Sequence, residues 1–257
     1  MGGFQIRKII KIDPSGLNQP LAIVGMPGIA NVGKNTVVTS IESLKAEKIL
    51  EILFQDFPAQ VLIDKNGVAH MPSASVYLSE RERDRKDILL VTGDFQPSTP
   101  KGIYEFSEVV SQVFHNFNVE IVISTGAFMS NIQISKPKIH VSGTSPAILD
   151  KFLAFKDAVL MDYGTISGAN GLIPVLANKR YGIEGVCLLA DTNPMVMIDP
   201  SASKSIIELL NYVLQLKIDA ENLLNQIKNM EDLLEEIKNQ FSEKKISEEP
   251  RYQTYIS

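Results

Sequence analysis

The chain has 257 residues, of which 44% are apolar and 21% charged, with a formal net charge of −5. This is an ordinary globular mixture, long enough for one large α/β domain or a smaller domain with an appendage. No apolar run approaches the roughly 18 residues of a membrane span, no N-terminal apolar region resembles an export signal, and no basic stripe marks a nucleic-acid surface, so a cytoplasmic protein without membrane or nucleic-acid partners is expected. The single cysteine, Cys187, cannot form an intrachain disulfide; its setting in "GVCLLAD" predicts a buried packing role. The charge is uneven, because residues 219–250 hold nine acids and four bases while the preceding body is close to neutral.

Taken in chain order, "FQIRKIIKI" (4–12) opens with apolar–polar alternation and predicts a strand. "LAIVGMPG" (21–28) is a short apolar run ending in Gly and Pro, as a buried strand entering a loop would be. From Asn31 to Leu44 the spacing of Val37, Ile41 and Leu44 predicts a helix. Short strands are expected at 48–54, 60–63, 67–71, 74–78 and 87–94, with Asn66-Gly67 as a tight hairpin turn. A helix over 102–116 precedes strands at 119–127 and 138–143, a helix near 146–154, a Gly-rich loop at 164–171, a helix near 172–180 and a last buried strand at 183–191. Strands alternating with helices predict an α/β sandwich around a mostly parallel sheet.

After Pro200 an apolar heptad runs to Phe241, with Leu216, Leu223, Met230 and Ile237 at d and Ile227 and Leu234 at a. Neither Gly nor Pro occurs between 201 and 249, so a continuous helix of roughly 60 Å is expected over 201–241. Leu210, Leu224 and Leu233 at flanking positions widen the stripe beyond a two-stranded seam. A bundle of more than two helices, or a helix lying partly on its own body, fits that stripe. The predicted organisation is an α/β/α domain over 1–200, a heptad helix over 201–241 and a flexible tail over 242–257.

"GMPGIANVGKNT" (25–36) has the spacing of a phosphate-binding loop through Gly28, Gly33 and Lys34, but Asn35 stands where Ser or Thr would ligate a metal. Asp94 and Asp191 at strand ends are candidate metal partners, and Asp162 and Asn170 candidate linings of a ligand cleft. His70, His115 and His140 lie in separate elements without metal-ligand spacing, and no metal site or cofactor is expected.

The stretch "IVGMPGIANVGK" also resembles the opening signature of the proteasome-assembly-chaperone family, the archaeal relatives of the second eukaryotic assembly chaperone. Gly25, Met26, Pro27, Gly28, Asn31, Val32, Gly33 and Lys34 stand in or beside the signature turn, with Ala30 where Gly is frequent. "ISTGAF" (123–128), "ISGANGLIPVLA" (166–177) and "GVCLLADT" (185–192) extend the resemblance over about residues 5–215. It implies a three-layer α/β/α sandwich like that of the purine nucleoside phosphorylases without their active site, homo-oligomers, and ATP-independent binding to proteasomal α subunits. Family members that act on the proteasome often end in hydrophobic–Tyr–any residue. This chain ends Tyr255-Ile256-Ser257, its tyrosine third from the end. The expectation is a non-enzymatic chaperone-like protein whose residues 216–237 self-associate and whose Tyr255, Ile256 and Ser257 meet the partner. The alternatives are a paralogue with another protein partner, or a nucleotide-binding or ligase-type enzyme using the 25–36 loop.

Overall fold

The computed structural model describes residues 3–79, 86–130, 136–193, 195–230 and 232. Its elements are β1 (Phe4–Lys8), β2 (Leu21–Val24), α1 (Val32–Ser43), β3 (Glu47–Phe54), β4 (Leu62–Ile63), β5 (Ala69–His70), β6 (Ala74–Ser79), β7 (Ile88–Gly93), α2 (Pro100–Asn116), β8 (Ile121–Met129), β9 (Ile139–Gly143), α3 (Pro146–Leu153), β10 (Ala158–Leu160), α4 (Ala169–Tyr181), β11 (Glu184–Thr192) and α5 (Pro200–Leu214).

Nine strands form one sheet in the order β1-β3-β6-β7-β2-β8-β11-β9-β10, and β4 pairs with β5 as a separate hairpin around the Asn66-Gly67 turn. The four central strands, β7-β2-β8-β11, are mutually parallel. The expected parallel sheet is therefore its centre, and the flanks turn antiparallel at β6 and β9. β2 is apolar and buried at every position because both of its faces are covered. Along β2, Leu21 and Ile23 join the cluster containing Val37 of α1, Phe152 of α3 and Ile206 of α5. Ala22 and Val24 point the other way, to Phe106 and Phe114 of α2 and Ile173 of α4. The result is a large mixed sheet between two helical layers.

Pro at the first helical position follows an extended N-cap in α2 and α3, where the Thr99 and Ser145 hydroxyls accept from the amides of Gly102 and Ile148. α4 begins at Ala169, inside the loop expected to run to 171, and continues through Pro174. β10, three residues long, was not expected.

The continuous helix expected over 201–241 is not what the described residues form. α5 stops at Leu214, Gln215 adopts a left-handed conformation at φ 53°, residues 215–220 are non-helical, and helix resumes over 221–230. The Asn211 carboxamide clamps this turn, donating to the Ile218 carbonyl and accepting from its amide at 2.9 Å each. Asp219 ties the turn to the end of α1, its amide donating to Ser43 Oγ at 2.6 Å, and its carboxylate accepts from the Glu221 amide at the next helical start. The turn lets Leu216, Ile218 and Leu223 sink into the same core cluster as α5. Residues 231 and 233–257 lie outside the described set, so the heptad's last part and the tail do too. Replacing Asn211 by Ala leaves both backbone groups of Ile218 without their partner, and chemical denaturation should read a loss of about 1–3 kcal/mol.

Candidate functional site

The signature turn leaves the C-terminal end of β2 at the centre of the sheet. α1, which follows β2, packs on one face, and α2, which follows the neighbouring β7, packs on the other. In open α/β sheets a crevice opens where adjacent strands send their helices to opposite faces. The turn folds back on itself so closely that two glycines are obligatory. A Cβ on Gly25 would stand 2.0 Å from the Gly33 carbonyl oxygen, and one on Gly33 would stand 2.3 Å from the Thr125 carbonyl oxygen of β8. Ala30 and Asn31 adopt left-handed conformations, with φ of 49° and 50°. An L-residue in this region costs about 1–2 kcal/mol, a strain that glycine would not carry.

Polar side chains from distant elements hold the turn in place. Asn170, the second residue of α4, accepts from the Met26 amide at 2.8 Å and donates to the Met26 carbonyl at 3.0 Å, completing a two-point clamp like a sheet bridge. Gln96 donates to the Pro27 carbonyl at 2.7 Å and accepts from the Ala169 amide at 2.8 Å, joining the turn to the start of α4. Thr92 donates to the Gly25 carbonyl at 2.7 Å and Thr125 to that of Val24 at 3.0 Å. From the far side, the Asp199 amide donates to the Ala30 carbonyl at 3.0 Å and Ser203 to the Val32 carbonyl at 3.2 Å. Asn170 was a candidate on sequence grounds, whereas Gln96, Thr92 and Thr125 were not. Their spacing follows no motif, since Thr92 and Gln96 act from the end of β7 and Thr125 from within β8.

Beside the turn lies a cleft of about 390 Å³, lined mainly by Met26, Ile29, Phe128, Met161, Ile166 and Leu189, with Gln96 and Asn170 among its polar walls. Among the described residues its lining carries no charged side chain. Gly28 and Gly33 reach it and Lys34 does not. The features of a phosphate cradle are used within the protein. The Gly25 amide donates to Val91, that of Met26 to Asn170, that of Asn31 to Gly28 and that of Val32 to Ile29. The Thr36 hydroxyl is buried and donates back to the Val32 carbonyl at 2.9 Å. The strand-end acids are likewise engaged: Asp94 accepts from the Ser73 amide, and Asp191 from the Lys138 amide and from His140 at 3.0 Å. Asp162 is exposed and outside the cleft lining.

The three histidines remain apart. His70 meets Asp64 at 3.4 Å on the surface, His115 stacks on Tyr181 and His140 on Phe128. Among the described residues no cluster of His, Cys, Asp or Glu is arranged to hold a metal. Cys187 is 4% exposed, and burial pushes its thiol up to about 11, in keeping with the packing role. Of the residues expected to self-associate, Leu216 and Leu223 are buried in the chain's own core, Ile227 is half-buried and Met230 is 37% exposed. Leu234, Ile237, Tyr255, Ile256 and Ser257 lie outside the described residues. No helix among the described residues is long and apolar enough to cross a membrane.

A central parallel sheet between helices, with a glycine-bound turn at its crevice and an uncharged cleft beside it, defines a mixed α/β protein whose turn serves architecture. The chain belongs to the PAC2 family, whose model matches residues 22–238. It is 32% identical over 232 residues to an uncharacterized protein of Methanocaldococcus jannaschii, covering 90% of this chain and 87% of that one. Its structure is similar to that of Pyrococcus furiosus PbaB, an archaeal proteasome activator, with a TM-score of 0.85 and 26% identity over 93% of this chain and all of PbaB. It also shares the fold of Pyrococcus furiosus PbaA, an archaeal homologue of proteasome-assembly chaperones, with a TM-score of 0.76 and 22% identity over 98% of this chain and 99% of PbaA. The resemblance read from the signature turn is thereby established as family membership.

Three substitutions separate the constraints in the turn. Gly33→Ala drives a methyl into the Thr125 carbonyl and should cost about 3 kcal/mol or more. Ala30→Gly relieves about 1–2 kcal/mol of backbone strain, against roughly 0.5–1 kcal/mol of added chain entropy and about 0.8 kcal/mol for the lost buried methyl. It should therefore leave the denaturation midpoint nearly unchanged. Asn170→Ala orphans both Met26 backbone groups and should cost about 2–4 kcal/mol in the same assay.

Proposed function

We propose that this chain is a non-enzymatic, ATP-independent, proteasome-assembly-chaperone-like protein of the cytoplasm that binds proteasomal α subunits as a homo-oligomer. The observation that carries the reading is its PAC2 membership over residues 22–238, together with its likeness to PbaB across nearly the whole of both chains. The site chemistry supports it from the other direction. The loop that imitates a nucleotide site has the amides of Gly25, Met26, Asn31 and Val32 committed internally, and an uncharged cleft offers nothing to balance a triphosphate. In this reading the purine nucleoside phosphorylase-like body presents the binding surface, and Tyr255 and Ile256 provide an apolar anchor ahead of the Ser257 carboxylate. A pocket that fits an aromatic ring and a terminal carboxylate measures the distance between them. The extra residue here makes tail docking the feature most in need of a direct test.

A second reading is favoured by one observation: PbaB is a proteasome activator, and the likeness to it covers 93% of this chain. Activation and assembly both require α-subunit contact and differ in whether the assembled particle is the target.

The test is binding of the full chain and of a chain ending at Pro250 to purified proteasomal α subunits, with peptidase turnover by the assembled particle measured in parallel. Binding by the full chain that is lost on truncation is expected, and stimulated turnover would favour activation over assembly. Equal binding by the shortened chain would move the contact to the α/β body. No binding by either form sinks the proposal.

A further inference from the structure

The heptad stripe changes surroundings along its length. Leu209, Leu216 and Leu223 are buried in the chain's own core at 0%, 6% and 1% exposure, but Leu224 is 49% exposed and Met230 37%. The helical segment 221–230 therefore faces its own body on one side only. On its other side it forms a wall of a groove of about 870 Å³, shared with α5 and the end of α3. Phe155 and Tyr212 line the groove with ring centroids 5.6 Å apart, and Leu224 and Ile227 line it from the helix. Lys136 pairs with Asp157 at 2.6 Å and Lys204 pairs with Glu208. With Lys156 also in the lining, three cations stand against two anions, a local charge of +1.

Beyond Ile227, which lines the groove, the sequence carries matching chemistry onward. Residues 231–241 hold Leu233, Leu234, Ile237 and Phe241 on the continuing stripe, with four acids and one base, a charge of −3. A straight helical continuation of eleven residues would carry that stripe roughly 16 Å away from the groove beside it. Two apolar surfaces of one chain, the groove and the continuing stripe, would then stay uncovered. A single exchange between two copies covers both, because each copy supplies one groove and one stripe.

We propose that the groove between α3, α5 and the 221–230 helix seats the acidic, apolar-striped segment 231–241 of a second copy of this chain. Leucines of that segment lie over Phe155, Tyr212 and Leu224, and its carboxylates meet the Lys156 side of the groove. The inference rests on the homo-oligomer of the proposed function and adds where the copies meet and by which parts.

Charge exchange tests it without knowledge of the register. One variant, Lys156→Glu with Ser201→Glu, makes the groove acidic while leaving both ion pairs intact. The other, Glu231→Lys with Glu235→Lys, makes the segment basic. Masses are read by light scattering, with thermal unfolding confirming that each variant is folded. The expected result is an oligomeric parent, each variant alone falling to the mass of one chain, and their equimolar mixture regaining the parental mass. Full parental mass in either variant alone overturns the groove as the seat. Loss in both without recovery on mixing also overturns it, since contacts within one chain cannot be repaired in trans. A monomeric parent would remove the homo-oligomer itself and the inference with it, an outcome distinct from the other two.

Discussion

The turn after β2 depends on an approach of backbone to backbone that leaves no room for a side chain. Gly25 faces the Gly33 carbonyl and Gly33 faces the Thr125 carbonyl, both at distances where a Cβ could not stand. Because the loop can lie this flat, the first turn of α1 presses against β8, and α1 buries Val32 and Val37 over the sheet. The same closeness brings the Met26 backbone within reach of Asn170 and the Pro27 carbonyl within reach of Gln96. Helices from the two opposite faces are thus tied together at the sheet's crevice. A residue with a side chain at either glycine disturbs both layers at once.

That closeness also decides what the crevice can do. A phosphate cradle needs backbone amides held open toward a ligand, with a cation in reach. Here four amides of the loop serve the fold, and Lys34 stands on α1 outside the cleft lining. The cleft that remains is apolar and thioether-rich, with the carboxamides of Gln96 and Asn170 spent on backbone partners. Of the G-x4-G-K spacing, Gly33 is required by the folded-back turn, as Gly25 is, whereas a Cβ at Gly28 would meet only Gln96 at 3.8 Å.

Much of the architecture was legible because its signals are local. Short apolar runs located the central strands, whereas the helix expected from 102 begins two residues earlier, at Pro100 behind its Thr99 cap. The less legible parts depend on partners distant in sequence. Gln96 gains its role only when β7 stands beside β2, and β10 exists only because β9 offers it an edge. The stop after α5 was hidden for a related reason. Left-handed helix ends favour Gly or Asn, and Gln215 is neither; it is held by Asn211, four residues earlier, reaching forward to Ile218. The second helical start, where the Asp219 carboxylate accepts from the Glu221 amide, lies inside the unbroken heptad and interrupts none of its apolar spacing.

The heptad itself shows why periodicity alone misleads about partners. A stripe at three-and-four spacing reports that one face is to be covered, not what covers it. Here the same unbroken pattern first lies on the chain's own sheet through Ile206 and Leu209, passes a turn in which Leu216 and Ile218 stay buried, and emerges with Leu224 and Met230 in contact with solvent. After the non-helical residues 215–220 the helix resumes with Leu223 still in the core, so a segment belonging to the core becomes, within two turns of helix, a wall of an open groove. Charge in the sequence follows the same boundary: nearly all of the net −5 lies beyond residue 218. Acidic residues flanking an apolar stripe keep it soluble while unpaired and select a basic rim when it docks.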